Sequence, residues 1–351
     1  MKRTILPIFL LAILTVCLPM LSLLFPASAE FEPPKVGFST SAVSDPFTTQ
    51  PDVLQAESSP ESQASETATE AMIYVQNAPD GTVLAVPVLD YMIGAVASEM
   101  PITWSDEALK AQGIAAHSYA LYQRDHADTE RLNGAWFSVD PARRQGYMSK
   151  EVLQSYWGDA FEGNYQRLKE LLEPLQDTVL LYNGEPAAAC YHAISNGHTE
   201  SSQLVWNEAL PYLQGVDSSV DLSAEGYLET VEYTTQQMYD MLATQFAGID
   251  LDKDPAEWFG ESTLTPAGYV DTIQVGGIFI KGTQLRAALG LRSSCFSIAL
   301  GENGFQVTTK GYGHGVGLSQ CGAQAMAQQG SSYQDILSWY YPGTTLDTYT
   351  H

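Results

Sequence analysis

The sequence predicts an α+β domain, in which helices and short antiparallel strands mix along the chain instead of alternating as regular βαβ units. Three observations point that way. Helical apolar spacing, clearest at Leu89, Met92, Ile93 and Val96, alternates irregularly with short β-branched runs bounded by turn dipeptides such as Asp80-Gly81 and Asn183-Gly184. No segment repeats along the chain, which argues against a solenoid or propeller. The apolar fraction of the 351 residues, 45%, is sufficient for a sizeable core.

At the N-terminus, Lys2 and Arg3 precede an apolar run from Ile5 to Phe25, and Ala27-Ser28-Ala29 follows as a small-x-small pattern of the signal-peptidase kind. The run is long enough to span a bilayer, and its basic end stays in the cytoplasm. Residues 1–29 therefore read as a single-pass membrane anchor or a cleaved signal segment, the anchor being favoured. Either sends the remainder of the chain out of the cytoplasm. Residues 30–71 are rich in Ser, Thr, Pro, Gln and acidic side chains without hydrophobic periodicity, the composition of a disordered spacer. Residues 72–351 form the folded domain.

Within the domain, Met72 to Val75 reads as a strand, Asp80-Gly81 as a turn, and Thr82 to Val86 as the returning strand. A helix follows from Leu89 to Met100 and is stopped by Pro101. Ser105 is placed to cap the next helix, which runs to about Arg124, with Asp106 and Glu107 complementing its N-terminal dipole. Ala108, Ala111 and Ala115 allow that helix to pack closely. Lys150 to Leu172 has helical character weakened by Gly158 and Gly163. Val179 to Tyr182 and Ala187 to His192 read as a hairpin around Asn183-Gly184. Thr234 is a cap for a helix reaching Phe246, and Phe279 to Thr283 reads as a strand edge entering a short helix that ends at Leu289. Cys295 to Val307 is strand-like on either side of Glu302-Asn303-Gly304, and Ser319 to Gln329 is helical up to Gly330.

The net charge of −25 excludes nucleic acid as a partner and opposes docking on anionic headgroups, because both require basic neutralisation. An uncharged sugar polymer is compatible, and the 19 tyrosines suit one. Cys17 lies in the apolar run. Cys190, Cys295 and Cys321 leave open one disulfide with one free thiol, or none.

Four segments carry candidate chemistry. In Ala97-Ser98-Glu99-Met100-Pro101, Glu99 lies nearly two turns beyond Met92, beside the apolar stripe. Partial desolvation there would raise its pKa, as a general acid requires; a solvated glutamate at a helix end is the plain alternative. Tyr191 to Glu200 leaves a strand into a polar turn, where site residues commonly sit. Cys190, just before it, and its His192 and His198 have the spacing C-x-H-x5-H, which matches no familiar zinc pattern. Gly311 to Gln320 places glycines on alternate positions, as a close backbone approach would require, and lacks the ending of a phosphate loop. Its His314 is equally compatible with a structural turn. Trp339-Tyr340-Tyr341 could stack on sugar rings, but such clusters more often close a core. A serine nucleophile elbow is absent.

Taken together and in this order, the segments YMIGAVASEMP, EALKAQGIAAHSYAL, YHAISNGHTES, LPYLQGVDS, LRAALGLRSSCF, GYGHGVGLSQCGAQAMA and YYPGT resemble the stage II sporulation protein D and amidase-enhancer family. The resemblance covers most of the stretch from Asp90 to Thr344. It implies a glycan-binding cleft and a peptidoglycan lytic transglycosylase with Glu99 as the catalytic acid, cutting peptide-stripped strands during engulfment in sporulation. It further implies substrate-binding roles for His117, Tyr191, His192, Ser195, His198, Thr199, His314, Ser319 and Gln320. Expected partners are glycan strands, the membrane through the N-terminal segment, and other engulfment hydrolases, with no cofactor. The second family role is a non-catalytic wall-binding module that enhances an amidase. Three departures are visible. His117 stands where many members carry Arg, and Cys321 where Trp is usual. The Phe137 to Tyr147 segment lacks the His and Cys with which some members hold zinc, so no metal is expected.

Overall fold

A computed structural model describes residues 71–349, apart from positions 128, 142, 143, 145 and 207. The predicted membrane segment, and all of the spacer except Ala71, lie outside the described residues. No described helix is long and apolar enough to cross a membrane.

The predicted opening hairpin forms from β1 (Met72–Asn77) and β2 (Val83–Pro87), antiparallel, with Gly81 turning at φ 72°. Its return begins one residue later than expected. Helix α1 (Val88–Glu99) follows at once, and α2 (Asp106–His126) packs across it. Met92 and Val96 are wholly buried, as are Ala108, Ala111, Ala115, Ala116 and Ala120. These small side chains let the two backbones approach. Ser105 occupies the N-cap position of α2 but makes no side-chain cap. Its backbone N–H instead donates to Gln324 Oε1 at 2.9 Å, so a tertiary partner replaces the local one.

Strand β3 (Phe137–Val139) joins β1 in parallel. The helix expected over 150–172 is broken at Gly158, whose φ of 51° lies outside the helical region. The result is α3 (Lys150–Trp157), a single 3₁₀ turn, and α4 (Phe161–Leu172). Strands β4 (Thr178–Tyr182) and β5 (Glu185–Pro186) form the Asn-Gly hairpin, with Asn183 and Gly184 at φ 52° and 85°. The return strand is shorter than the sequence suggests. It leaves the ladder after Pro186, and β6 (Tyr191–His192) pairs elsewhere.

Next come α5 (Ser202–Trp206), β7 (Leu228–Tyr233), α6 (Thr235–Gln245), β8 (Phe259–Leu264), β9 (Val270–Val275), β10 (Ile278–Lys281), α7 (Gly282–Leu289), β11 (Phe296–Gly301) and β12 (Gly304–Lys310). Thr234 caps α6 in a full capping box with Gln237, as predicted. Strands β7, β8 and β9 are absent from the sequence reading; β8 is almost entirely exposed and polar, so it carries no apolar alternation. The chain closes with β13 (Leu318–Ser319), α8 (Gln320–Gln328), α9 (Tyr333–Tyr340) and β14 (Thr345–Thr348), the last pairing with β4.

The fold is α+β, and the described residues build two hydrophobic clusters. The larger draws on residues from Ile73 to Leu213 and again from Val316 to Tyr341. The smaller lies wholly between Tyr233 and Val307, beneath the sheets β11-β12-β7 and β10-β9-β8 and helices α6 and α7. Tyr340 and Tyr341 are fully buried in the larger cluster, as the core reading expects, whereas Trp339 is exposed and donates Nε1–H to the Asp217 carbonyl.

Candidate functional site

Glu99 is the last residue of α1, where the chain turns extended at Met100. Its carboxylate accepts from Gln320 Nε2 at 3.1 Å, and the same amide reaches Gln112 Oε1 at 3.4 Å. Gln320 opens α8 and Gln112 lies nearly two turns inside α2, so three helices meet around this carboxyl. Burial pushes the Glu99 pKa up, while the Gln320 amide and the Gly146 backbone N–H pull it down without cancelling the rise. The side chain is nevertheless partly exposed. Such a group keeps its proton to a higher pH than an ordinary carboxyl and can still present it to a ligand.

Two backbone segments bring Gln320 here. Strand β13 pairs in parallel with β6, setting Leu318 opposite Tyr191 and Ser319 opposite His192. The alternate glycines make that approach possible. A Cβ on Gly317 would fall 2.0 Å from the Cys190 carbonyl oxygen, and one on Gly313 would fall 2.7 Å from His192 Cβ. Both residues also have positive φ, 72° and 116°. Across this seam the Tyr191 phenol lies close enough to Glu99 for the carboxylate to raise its pKa further, after burial.

His192 and His314 face each other with ring centroids 5.7 Å apart, and Trp206 covers His314 at 5.0 Å. His192 is buried. Its Nδ1 lies 3.1 Å from the Val316 carbonyl, which makes Nδ1 the protonated nitrogen. Its Nε2 is therefore an acceptor, with no hydrogen-bond partner among the described residues. Burial holds the His192 pKa down to about 4, and the nearby Arg286 charge adds to that effect. His314 accepts the Val316 N–H at Nδ1, and burial holds its pKa well below the usual imidazole range. Both rings are neutral at neutral pH.

The other expected binding residues are placed differently. His117 is fully buried within α2, so its ring has no surface for direct contact with a strand. Ser195 is buried and donates to Asp221 Oδ2 through both N–H and Oγ–H. Thr199 is buried, and its hydroxyl accepts the Val216 N–H at 2.9 Å. Ser319 is buried and caps α8 by accepting from Gly322 N. His198 is half-buried, with Nδ1 at 2.8 Å from the Thr199 carbonyl. Glu99, Tyr191 and Gln320 thus converge, His192 and His314 sit behind them, and the hydroxyl residues tie the loops together. Gln112 and Gly146 were missed. Gln112 carries a readable signal, a polar side chain on an otherwise small and apolar helix face; Gly146 contributes only backbone and has none.

Glu200 is buried, and both oxygens are engaged, one by Ser201 N–H and the other by the Thr265 hydroxyl. It lines a small pocket of mixed character at the seam of the two clusters, together with Leu204, Val205, Thr265, Val270, Lys281 and His314. Cys190, Cys295 and Cys321 are all free thiols. Among the described residues, no group of three or more His, Cys, Asp or Glu side chains is arranged to hold a metal ion. The 137–147 stretch, where the family resemblance would place a zinc site, buries Phe137, Val139 and Tyr147 in the core, and it carries no His or Cys to ligate that ion.

A family model described as "Stage II sporulation protein" matches residues 78–182. The stage II sporulation protein D of Bacillus subtilis (strain 168) is 35% identical over 291 residues, covering 82% of this chain and 82% of that protein. Its counterpart in Bacillus amyloliquefaciens is 36% identical over 262 residues, 74% of each chain. The amidase enhancer of Bacillus subtilis (strain 168) is 26% identical over 314 residues, covering 73% of this chain and 40% of that protein. With 35% identity along 82% of its length, and with α1, α2 and β4 inside the matched region, the chain belongs to the stage II sporulation protein D family.

Proposed function

We propose that this protein is a lytic transglycosylase that cleaves peptidoglycan glycan strands, with its catalytic domain outside the cytoplasm on a single-pass N-terminal anchor. The observation that carries the reading is the Glu99 carboxyl, raised in pKa by burial yet partly exposed and gripped by the Gln320 amide. In the proposed reaction Glu99 gives its proton to the glycosidic oxygen as the bond to the anomeric carbon breaks. The C6 hydroxyl of the same sugar attacks that carbon, and the Glu99 carboxylate takes the hydroxyl proton. The tether between C6 and C1 supplies the effective concentration that a water would lack. A second carboxylate is not required, and the best rival, Glu200, has both oxygens committed to other partners. Tyr191, whose phenol feels the Glu99 charge, is the side chain proposed to contact the sugar. Peptide-stripped strands are the expected substrate, and other engulfment hydrolases the expected partners.

The test is mass spectrometry of products from peptide-free strands. Wild-type protein should yield 1,6-anhydro-muramic ends, lighter by one water than hydrolysed ends. Glu99→Gln should lower the rate by about 10²- to 10⁴-fold while keeping the fold, because Gln still accepts from Gln320 but has no proton to give. Ordinary reducing ends, or a near-wild-type rate in the variant, would refute the assignment. The second reading, a wall-binding module that stimulates an amidase, draws on the named relative. It requires strand binding without cleavage by wild-type protein, together with stimulation of an added amidase that survives Glu99→Gln.

A further inference from the structure

Asp221 is a carboxylate that the proposed chemistry does not use, yet it is fully buried between the segments that build the site. Its Oδ2 accepts from Ser195 N at 3.0 Å, Ser195 Oγ at 2.6 Å and Ser218 Oγ at 3.0 Å. Ser218 Oγ in turn meets the Tyr340 hydroxyl of α9 at 2.7 Å. The Ser319 hydroxyl also faces this carboxyl group. Oδ1 has no aligned donor among the described residues. A buried acceptor left half-satisfied is expensive, and an apolar residue of similar volume would be cheaper at a purely structural position.

What the carboxylate holds is the start of α8. Ser319 caps that helix through Gly322 N–H, and Cys321 N–H donates to the Ala193 carbonyl, two residues before Ser195. Between Ser319 and Cys321 stands Gln320, whose amide grips Glu99. One acceptor therefore fixes both the strand-end loop and the helix terminus that aim the amide.

We propose that Asp221 is a positioning residue for the site: through Ser195 and Ser319 it fixes the N-terminus of α8, and so the Gln320 amide on the Glu99 carboxyl. The idea rests on the reading of Glu99 as the acid, but the mechanical link is testable without turnover.

The sign of one effect separates this role from two others. The Gln320 amide favours the charged form of Glu99, whereas Asp221 does not figure among the charges that perturb Glu99. If Asp221 positions Gln320, loosening it raises the Glu99 titration midpoint. If its negative charge acted directly, removing it would lower that midpoint. A loop staple unconnected to Gln320 would leave the midpoint where it is.

The experiment titrates full-length protein in detergent, labelled with carbon-13 at the glutamate carboxyl, the Glu99 signal being assigned by its loss in Glu99→Gln. Asp221→Ala, which removes the acceptor, should move the midpoint upward to the same extent as Gln320→Ala. The double variant should move no further than either single one. Asp221→Asn removes the charge but keeps an acceptor oxygen, and should return the midpoint toward wild type. A downward shift, no shift, or additive shifts in the double variant would overturn the proposal. Should Asp221→Ala fail to fold by near-UV circular dichroism, Ser195→Ala removes the hydroxyl that donates to Asp221 while leaving the Ser319 cap of α8 in place, and it must give an upward shift; an unmoved midpoint there is equally fatal. Cleavage assays on wild-type protein and Glu99→Gln judge the acid reading separately, so failure of one leaves the other decided on its own data.

Discussion

Replacing Gly317 with alanine should cost more than its backbone conformation alone accounts for, because the residue sits where two site segments touch. Its φ is +72°, which costs a non-glycine residue about 1–2 kcal/mol. The new Cβ would lie 2.0 Å from the Cys190 carbonyl oxygen. That oxygen cannot retreat freely, since it accepts from Leu318 N at 3.1 Å and from the Tyr341 hydroxyl at 2.7 Å. Losing both bonds costs roughly 1–3 kcal/mol, the same range as overpacking a tight site. The sum is about 2–5 kcal/mol, which at about 2 °C per kcal/mol for a domain of this size lowers Tm by roughly 4–10 °C. Gly290→Ala is the control. Gly290 ends α7 in a left-handed conformation with φ +63°, but nothing lies within 4 Å of its missing Cβ. It should lose only the backbone part, about 1–2 kcal/mol or roughly 2–4 °C. Both variants would be followed by thermal denaturation under identical conditions. Equal losses would refute the idea that the alternate glycines exist for backbone contact with the Cys190–His192 segment.

His192 should make the fold acid-sensitive. Its folded pKa lies near 4 against about 6.5 in the unfolded chain, so below pH 6.5 the unfolded state binds a proton that the folded state refuses. Stability is intact above that pH and falls by about 3 kcal/mol as pH drops toward 4. Denaturant titrations at pH 7 and pH 4.5 should show a smaller loss in His192→Gln than in wild type, with His314 supplying part of the remainder. An identical loss would exclude His192 as a source. Thr234→Ala should cost about 1 kcal/mol by removing one half of the α6 capping box, visible as a Tm drop of a few degrees. Purified protein should carry no stoichiometric zinc; about one ion per chain, with activity lost on chelation, would contradict the donor set described above.

Much of the fold was legible before any tertiary structure because its signals are local. The capping box of α6, the Asn-Gly hairpin, the stop at Pro101 and the buried stripe of α1 each depend on residues within a few positions of one another. The core placement of Tyr340 and Tyr341 was readable for the same reason. The errors came where distant partners override local preference. Ser105 has the chemistry of a cap, but its backbone is bound by Gln324 across the fold. The strand after Asn183-Gly184 ends early because Tyr191 and His192 find a parallel partner more than a hundred residues away, in β13. Strands β7 to β9, which build much of the second cluster, stayed hidden because pairing and burial, not a strong apolar alternation, define them.

The candidate site divides along the same line. Sequence alone picked out Glu99 as a carboxyl at the edge of an apolar stripe, and the glycine-rich segment as a place of close approach, because both are properties of short stretches. It could not show that Gln320 would reach Glu99, a pairing separated by 221 positions. Nor could it show that Ser195, Thr199 and Ser319 would turn inward to bind loops together, or that His117 would be sealed inside α2. Residue type and spacing determine which groups are available and what helix or strand carries them. Only the packed structure decides which are desolvated and which face one another, because burial and hydrogen-bond partnership are set by neighbours in space and not in sequence.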